Sequence, residues 1–573
     1  MNGTEDLDLE WSAVDWRHHE DEVRRLRRRI FKASQQGDLK KVRNLQKLML
    51  RSYSNTLVSV RRVTQQNAGR STAGIDGQVV TTSRGRAELA VSIHSQSEPW
   101  KAKPVKRVYI PKSNGKQRPL GIPVLRDRVI QARVKNALEP EWEAKFEARS
   151  YGFRPGRSTQ DAVQCLFKVL HSAKRIRGWV LEADLEGAFD HIGHDHLLNA
   201  LGTFPAKGLV REWLKAGVVD GGKFAPTTEG TPQGGVISPL LLNVALHGLE
   251  KAAGVRYGWR GKPTEAKPGP VLVRYADDFV VLCRTKDEAE RCRRDIEGWL
   301  ESTGVRLSPE KTGIVRLSEG FDFLGFNVRT YNGKLLIKPS RAALKRFRER
   351  LAKEVSSLQG ANALAIITRL NPIIRGWSAY YRHVVSKKTF ASLDAYMWQL
   401  LWKWARRSHR VKSHMWIGKH YWGRFHRGRN DKWVFGDRKT GAYLIKFQWT
   451  EIVRHSMVKD TASPDDPSLI EYWAERGKKR GTTALMPKSD IVLAKRQQGK
   501  CPMCGELLIP TDGEPQSAED WVGWYAACNR YLHRHHAKYR QYGGSDGSEN
   551  IRLVHSECHR AHHAQDPRNS KLL

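Results

Sequence analysis

Apolar positions recur at helical spacing early in the chain, give way to short β-rich runs in its middle, and return to helical spacing after about residue 340. Val23, Leu26 and Ile30 form a first helical stripe, and Val42, Leu45 and Leu48-Met49 a second. Gly37-Asp38 separates them, with Asp38 placed to cap the second helix. Residues 107–131 have strand character around a Ser-Asn-Gly turn, and Val180 to Ile192 begins as a strand that delivers Asp184 where its apolar run ends. Val271 to Val273 and Phe279 to Leu282 flank Tyr275-Ala276-Asp277-Asp278, which predicts a tight hairpin with two acids at its tip. Further on, Leu344, Phe347, Leu351, Val355 and Leu358 share a helical face. Asn371-Pro372 is expected to open a second helix carrying Ile373, Trp377, Tyr380 and Tyr381, and Leu393, Tyr396, Met397, Leu400 and Trp404 mark a third. This succession of helical and strand regions predicts a multidomain α+β protein.

Loops and composition change the picture. Arg149 to Val163 is punctuated by Pro155-Gly156, and Ser158 or Thr159 can cap the helix that starts near Asp161. Glu229 to Asn243 sets three glycines around Pro232-Gln233, as in a loop whose backbone comes close to a ligand, then opens a helix near Ser238-Pro239. The 573 residues carry 99 Lys plus Arg against 60 Asp plus Glu, a net charge of +39. Such an excess is the footprint of a polyanion, with nucleic acid the first candidate. Residues 331–430 alone hold 22 Lys or Arg and 3 Asp or Glu, a density suited to tracking a phosphate backbone. Membrane partners are disfavoured, because no run of about 18 apolar residues occurs and the first ten residues are acidic. Seven scattered cysteines point to a reducing, cytoplasmic setting. Arg24 to Arg29 holds five arginines around Leu26, facing either solvent or RNA, while Thr461 to Ser468 and Glu475 to Asp490 have linker composition.

Neighbouring carboxylates repel, and a fold keeps them where a divalent cation neutralises them, although an ordinary Asp-rich turn accounts for a bare pair. Asp184 lies 93 residues before Asp277, within one domain's length. Three carboxylates from two strand ends suit two divalent ions that activate a 3′-hydroxyl and stabilise a pyrophosphate leaving group. Lys112, Lys116 and Arg118 bracket the Ser-Asn-Gly turn as a triphosphate grip or a solvated basic hairpin.

Asp184 with Phe189, the GTPQGG loop, the YADD hairpin, LSPEKT at Leu307 to Thr312 and FDFLGF at Phe321 to Phe326 occur in the order of reverse transcriptase blocks. More narrowly, the chain resembles a group II intron reverse transcriptase/maturase. The resemblance implies a right-hand polymerase with fingers and palm, and Asp184, Asp277 and Asp278 at a two-Mg²⁺ site. It implies Phe189 as an aromatic gate excluding a 2′-hydroxyl, Lys112 and Arg118 on the triphosphate of dNTPs, and Gln233 lining the nucleotide pocket, with Lys311 a weaker carry-over. LNPIIRGWSAYYR resembles the family's maturase domain, a helical thumb that also grips intron RNA, and Trp416 to Phe435 resembles its DNA-binding region.

A second site lies near the C-terminus. Cys501-Pro502-Met503-Cys504 is answered 51 residues later by His555-Ser556-Glu557-Cys558, and CxxC with HxxC supplies four ligands for tetrahedral Zn²⁺. His535-His536, Asn550, His559 and His563 resemble the HNH (ββα-metal) endonuclease pattern. That implies His536 as general base on water, Asn550 orienting it, and His535, His559 and His563 holding a catalytic divalent ion, with His562 able to replace His563. His533 stands where relatives often carry an acid, Ala537 replaces a branched apolar residue, and an insert from Glu506 to Tyr531 containing Cys528 bears on the ligand count.

The expected organisation is an N-terminal extension (1–56), fingers and palm (57–335), a thumb or maturase domain (336–425), a DNA-binding region with linker (426–490) and a small zinc-stapled HNH module (491–573). The expected protein copies intron RNA by target-primed reverse transcription, assists splicing and nicks target DNA, in a ribonucleoprotein of the cytoplasm that joins the nucleoid on target DNA. The alternatives are a splicing factor without polymerase activity and a reverse transcriptase of retron or diversity-generating type.

Overall fold

The computed structural model describes residues 10–11, 13–96, 100–111, 117–171, 177–256, 269–426, 428–481, 488–503, 508, 518, 532–539 and 542–564. Lys112, Lys116, Cys504 and Cys528 lie outside them. Helices Trp16–Gln35, Leu39–Arg51 and Tyr53–Arg61 are each started by a side chain that accepts from an otherwise free backbone N–H: Asp15 from His18, Asp38 from Lys41 and Ser52 from Asn55. Their apolar stripes pack on one another and on the long helix Leu125–Glu143. Val105–Pro111 and Gln117–Ile122 form an antiparallel hairpin, extended by Val218–Asp220 and Lys223–Ala225 into a four-stranded sheet.

Trp179–Glu186 is the middle strand of a second sheet. Asp278–Cys283 runs antiparallel on one side with Val271–Tyr275 beyond it, and Arg306–Leu307 and Gly313–Arg316 lie on the other. Successive side chains of a strand face opposite ways, and here both faces are covered. Leu181, Ala183, Leu185, Leu272, Phe279 and Val281 enter the core shared with the N-terminal helices. Val180, Val271, Val273, Val280 and Leu282 enter another, shared with helices Arg341–Ser357, Ala363–Tyr381 and Lys387–Ser408. Covered faces on both sides explain why the hairpin reads as continuous apolar runs.

The helix expected to open at Asn371-Pro372 starts earlier. It runs Ala363–Tyr381 from an Asn362 cap, with Pro372 inside. The Asn371 side chain instead donates to Tyr443 O at 3.0 Å and accepts from Ile445 N at 2.9 Å. Buried Ile366, Ile367 and Leu370 before the proline, and Ile373, Ile374 and Trp377 after it, offset the hydrogen bond that a proline removes from a helix.

Thr461 to Ser468, linker-like in composition, is packed down. Arg157 donates to Asp460 O at 2.6 Å and Ala462 O at 3.3 Å, and Arg27 joins Glu139 at 2.8 Å and Asp465 at 2.7 Å. Just upstream, buried Asp161 accepts from Val458 N at 2.8 Å. Arg27 therefore faces neither solvent nor RNA, whereas Arg24 and Arg25 pair at the surface with Asp21 and Glu22. The second linker-like stretch contributes to helices Ile470–Gly481 and Lys488–Arg496. At the C-terminal end, Leu532–His536 pairs antiparallel with Ile551–His555, and helix Ser556–Ala564 follows directly, over a small core of Leu493, Ala494, Cys501, Leu508, Leu553 and Val554. Among the described residues no helix is long and apolar enough to cross a membrane.

Candidate functional site

The hairpin turn is built to hold two acids at one edge of the central sheet. Asp184 pairs in register with Asp278, and Tyr275 pairs with Asp278 across a turn of only Ala276 and Asp277. Ala276 sits at φ 59°, left-handed backbone that usually calls for glycine in such a turn. A non-glycine residue there costs about 1–3 kcal/mol and persists only where its surroundings hold it. Arg274, 1 % exposed, donates to Asn243 Oδ1 at 2.9 Å and to Ala276 O at 3.2 Å, and Asn243 donates to Gly152 O at 2.9 Å. Gly152 lies so close beneath the turn that a Cβ would stand 2.3 Å from Ala276 N. Sequence reasoning missed this cradle; its available signals were an arginine inside an apolar strand and an asparagine inside the apolar helix Ser238–Ala245.

Burial and mutual repulsion work against charge on the two acids of the turn. Burial, and then Asp184, push the Asp277 carboxyl up, partly offset by Arg118 and Lys311. Burial, Asp184, Asp277 and Glu182 push Asp278 well above the carboxylate range. Glu182, two residues from Asp184 on the same strand face, is raised to about 7 chiefly by burial. The Lys311 ammonium bonds directly to Asp184, which makes it a stronger presence than the sequence suggested. Among the described residues, the groups of three ligand atoms lying within 4.8 Å of one another are both near the C-terminus. The Asp184, Asp277 and Asp278 carboxylates do not form such a group, with Asp184 engaged by Lys311.

Phe189, 8 % exposed, sits on the short helix Ala188–His191, with Phe153 edge-on at 6.1 Å. Gln233 lies in the glycine loop, and its carbonyl accepts from Gly121 N at 2.8 Å. Gly121 and exposed Arg118 share the strand Gln117–Ile122, so the loop docks on the strand that carries the basic residue.

The C-terminal ββα unit gathers two groups of ligands. Cys501, His555 and Cys558 form one, with Cys501 fully buried. His535, His559 and His563 form the other, with His559 Nε2 and His563 Nε2 3.2 Å apart. Burial and the surrounding histidines lower His535 to about 4, and burial and neighbouring histidines also lower His559, which favours in both the neutral ring, the state in which imidazole binds metal. His562 is turned instead to Tyr539 OH at 3.1 Å, and the His533 ring lies edge-on to His559 at 5.3 Å. His536 Nε2 lies 2.8 Å from Asp546 Oδ1, a partner the sequence did not single out. Asn550 uses its side chain on the loop between the strands, accepting from Lys538 N at 2.7 Å and donating to Lys538 O and Ser545 O, each at 2.8 Å. That supports the loop beyond His536 and differs from orienting a water directly.

Known families match the chain in the same order. The reverse transcriptase (RNA-dependent DNA polymerase) family matches residues 110–328, the N-terminal domain of reverse transcriptase residues 11–93, the group II intron maturase-specific domain residues 344–422, and HNH endonuclease residues 501–565. Protein YkfC of Escherichia coli is 39% identical over 309 residues, spanning 48% of this chain and 81% of that protein. The chain belongs to the group II intron reverse transcriptase/maturase family, with an HNH endonuclease domain. Within it, the group II intron-encoded protein LtrA of Lactococcus lactis is 29% identical over 405 residues, 55% of this chain and 66% of LtrA. A solved telomerase from Candida albicans aligns over 55% of this chain and 63% of its own at 13% identity with a TM-score of 0.31, too remote to carry an argument. Group II intron proteins of this build combine RNA-directed DNA polymerase and DNA endonuclease domains, and the mixed α+β fold with the carboxylate hairpin lies within the reverse transcriptase match.

Proposed function

We propose that the protein copies group II intron RNA by target-primed reverse transcription, with the primer made by its own HNH domain. The observation that carries the reading is the placement of Asp184 and Asp278 side by side, with Asp277 in a turn held from behind. Buried acids that resist ionisation beside one another fit a divalent cation site, and Asp184, Asp277 and Asp278 would hold Mg²⁺. Ions bound there supply the charge that activates a primer 3′-hydroxyl and stabilises the departing pyrophosphate. Arg118, with Lys112, would grip the triphosphate, Gln233 would border the nucleotide, and the Phe189 ring would exclude a 2′-hydroxyl. Lys311 would leave Asp184 when the site is occupied.

The helices from Arg341 to Ser408, rich in Lys and Arg, would hold intron RNA as thumb and maturase domain, and the Trp416–Phe435 stretch would contact target DNA. In the nuclease, His536 would take the proton from water, held in orientation by Asp546, while His535, His559 and His563 hold a divalent ion. Cys501, His555 and Cys558, with Cys504 as the fourth ligand, would hold a structural Zn²⁺. The work would take place in the cytoplasm, on nucleoid DNA. An Asp277→Ala and His536→Ala pair tests the division of labour. Asp277→Ala should abolish primer extension on an RNA template while leaving nicking intact, and His536→Ala should do the reverse; primer extension surviving Asp277→Ala would refute the assignment.

A further inference from the structure

The Phe189 turn and the glycine loop are one clamped unit, and the side chain that closes the clamp is His194. Gly230 N donates to Ile192 O at 2.8 Å, and Thr231 N donates to Phe189 O at 2.6 Å, so the loop lies flush on the turn that carries the aromatic ring. Gly230 is at φ +80°, and a Cβ there would stand 2.4 Å from Asp190 O and 2.8 Å from Phe189 O, which leaves no slack between the two segments. The Gly230 peptide is then held from its other end: its carbonyl accepts from His194 Nε2 at 2.8 Å. His194 is 8 % exposed and is the first residue of helix His194–Ala200, whose preceding Gly193 donates its N–H to Thr303 O at 2.8 Å. The imidazole is thus mounted on a segment that is itself tied down.

Beyond Thr231, the same loop reaches Gln233, whose carbonyl holds Gly121. One short segment therefore touches both the aromatic turn and the strand that carries Arg118. An aromatic gate discriminates between sugars only as finely as its ring is positioned, because a 2′-hydroxyl adds one atom to the space the ring must deny.

We propose that His194 is a positioning residue for sugar selection: by holding the Gly230 carbonyl it fixes the glycine loop against the Phe189 turn and so sets where the ring stands. The inference rests on Phe189 being the gate. Losing the His194 bond lets the turn relax away from the sugar, which lowers selectivity against ribonucleotides more than it lowers deoxynucleotide use. His194 touches neither nucleotide nor metal in this account, so its effect appears in the ratio of the two substrates.

The test measures kcat/KM for a dNTP and its matching rNTP on one RNA template with a DNA primer, using the full chain. His194→Leu removes the donor, His194→Asn shortens its reach, and His194→Gln keeps an N–H at similar reach. We expect His194→Leu and His194→Asn each to raise relative ribonucleotide use by about fivefold, the scale of one lost hydrogen bond, with dNTP kcat/KM within about twofold of the parent on the same scale, and His194→Gln to restore selectivity. Should His194→Leu not fold, His194→Asn carries the same prediction. Phe189→Ala separates the two readings. If it relaxes selectivity while the His194 variants alter both substrates equally or neither, the His194 inference is overturned and the gate stands. If Phe189→Ala leaves selectivity unchanged, the gate reading fails and the inference fails with it.

Discussion

At the scale of single residues, the acids at the hairpin edge announced themselves and their support did not. Asp184, Asp277 and Asp278 interrupt apolar strand patterns, a local signal that survives without the fold. Arg274 interrupts the same pattern, but its meaning lies in Asn243 and in the Ala276 carbonyl, which the chain brings to it only on folding. Arg274→Ala removes both bonds and frees a turn whose left-handed Ala276 needs them. Its kcat for primer extension should fall on the order of 100-fold, the scale set by a misplacement of about 1 Å at a reacting centre. Single-turnover extension reads the loss, and unchanged DNA nicking by the same preparation shows that the chain is folded.

At the scale of elements, helix caps and the hairpin were readable because their rules are local. Asp38 caps the second helix as expected, and Ser158 with Asp161 forms a capping box at the start of Thr159–Leu170. Pro372 misled because a local rule was overruled by burial on both sides of it. The C-terminal ββα unit is small, and its described core has only six buried apolar residues. A core of that size gains from a staple, and a metal held by Cys501, His555 and Cys558 would supply one. Cys558→Ser, or a zinc-selective chelator applied to the parent protein, should release zinc and abolish nicking while primer extension in Mg²⁺ continues. Metal analysis beside the two activity assays checks this; nicking that persists without zinc would remove the staple from the account.

At the scale of the whole molecule, ion pairs bind segments that composition would have left apart. Arg27 holds Glu139 and Asp465, with side-chain exposures of 14% for the arginine and 6% for each acid. Removing Arg27 takes the ion-pair partner from buried Asp465 and leaves Glu139 with Lys135 at 3.3 Å, at a cost of about 3–5 kcal/mol for breaking a buried pair. Arg27→Ala should therefore lower the denaturation midpoint clearly, followed by tryptophan fluorescence. Arg25→Ala, which loses a surface pair with Glu22, should leave the midpoint in place.

The sequence by itself determined the family, the order of its parts and most candidate chemical residues, because ordered motifs, ligand spacing and period-two apolar runs are written along the chain. Tertiary structure decided what holds those residues. It placed Lys311 on Asp184, Asp546 on His536, His194 on the Gly230 carbonyl and Asp465 on Arg27. The reason is physical: a carboxylate or imidazole signals its own chemistry, whereas the partner that orients it is chosen by proximity after folding. The linker-like stretch from Thr461 to Ser468 shows the same limit, since polar composition describes an isolated segment and not the arginines, buried Arg157 and partly buried Arg27, that wait for it.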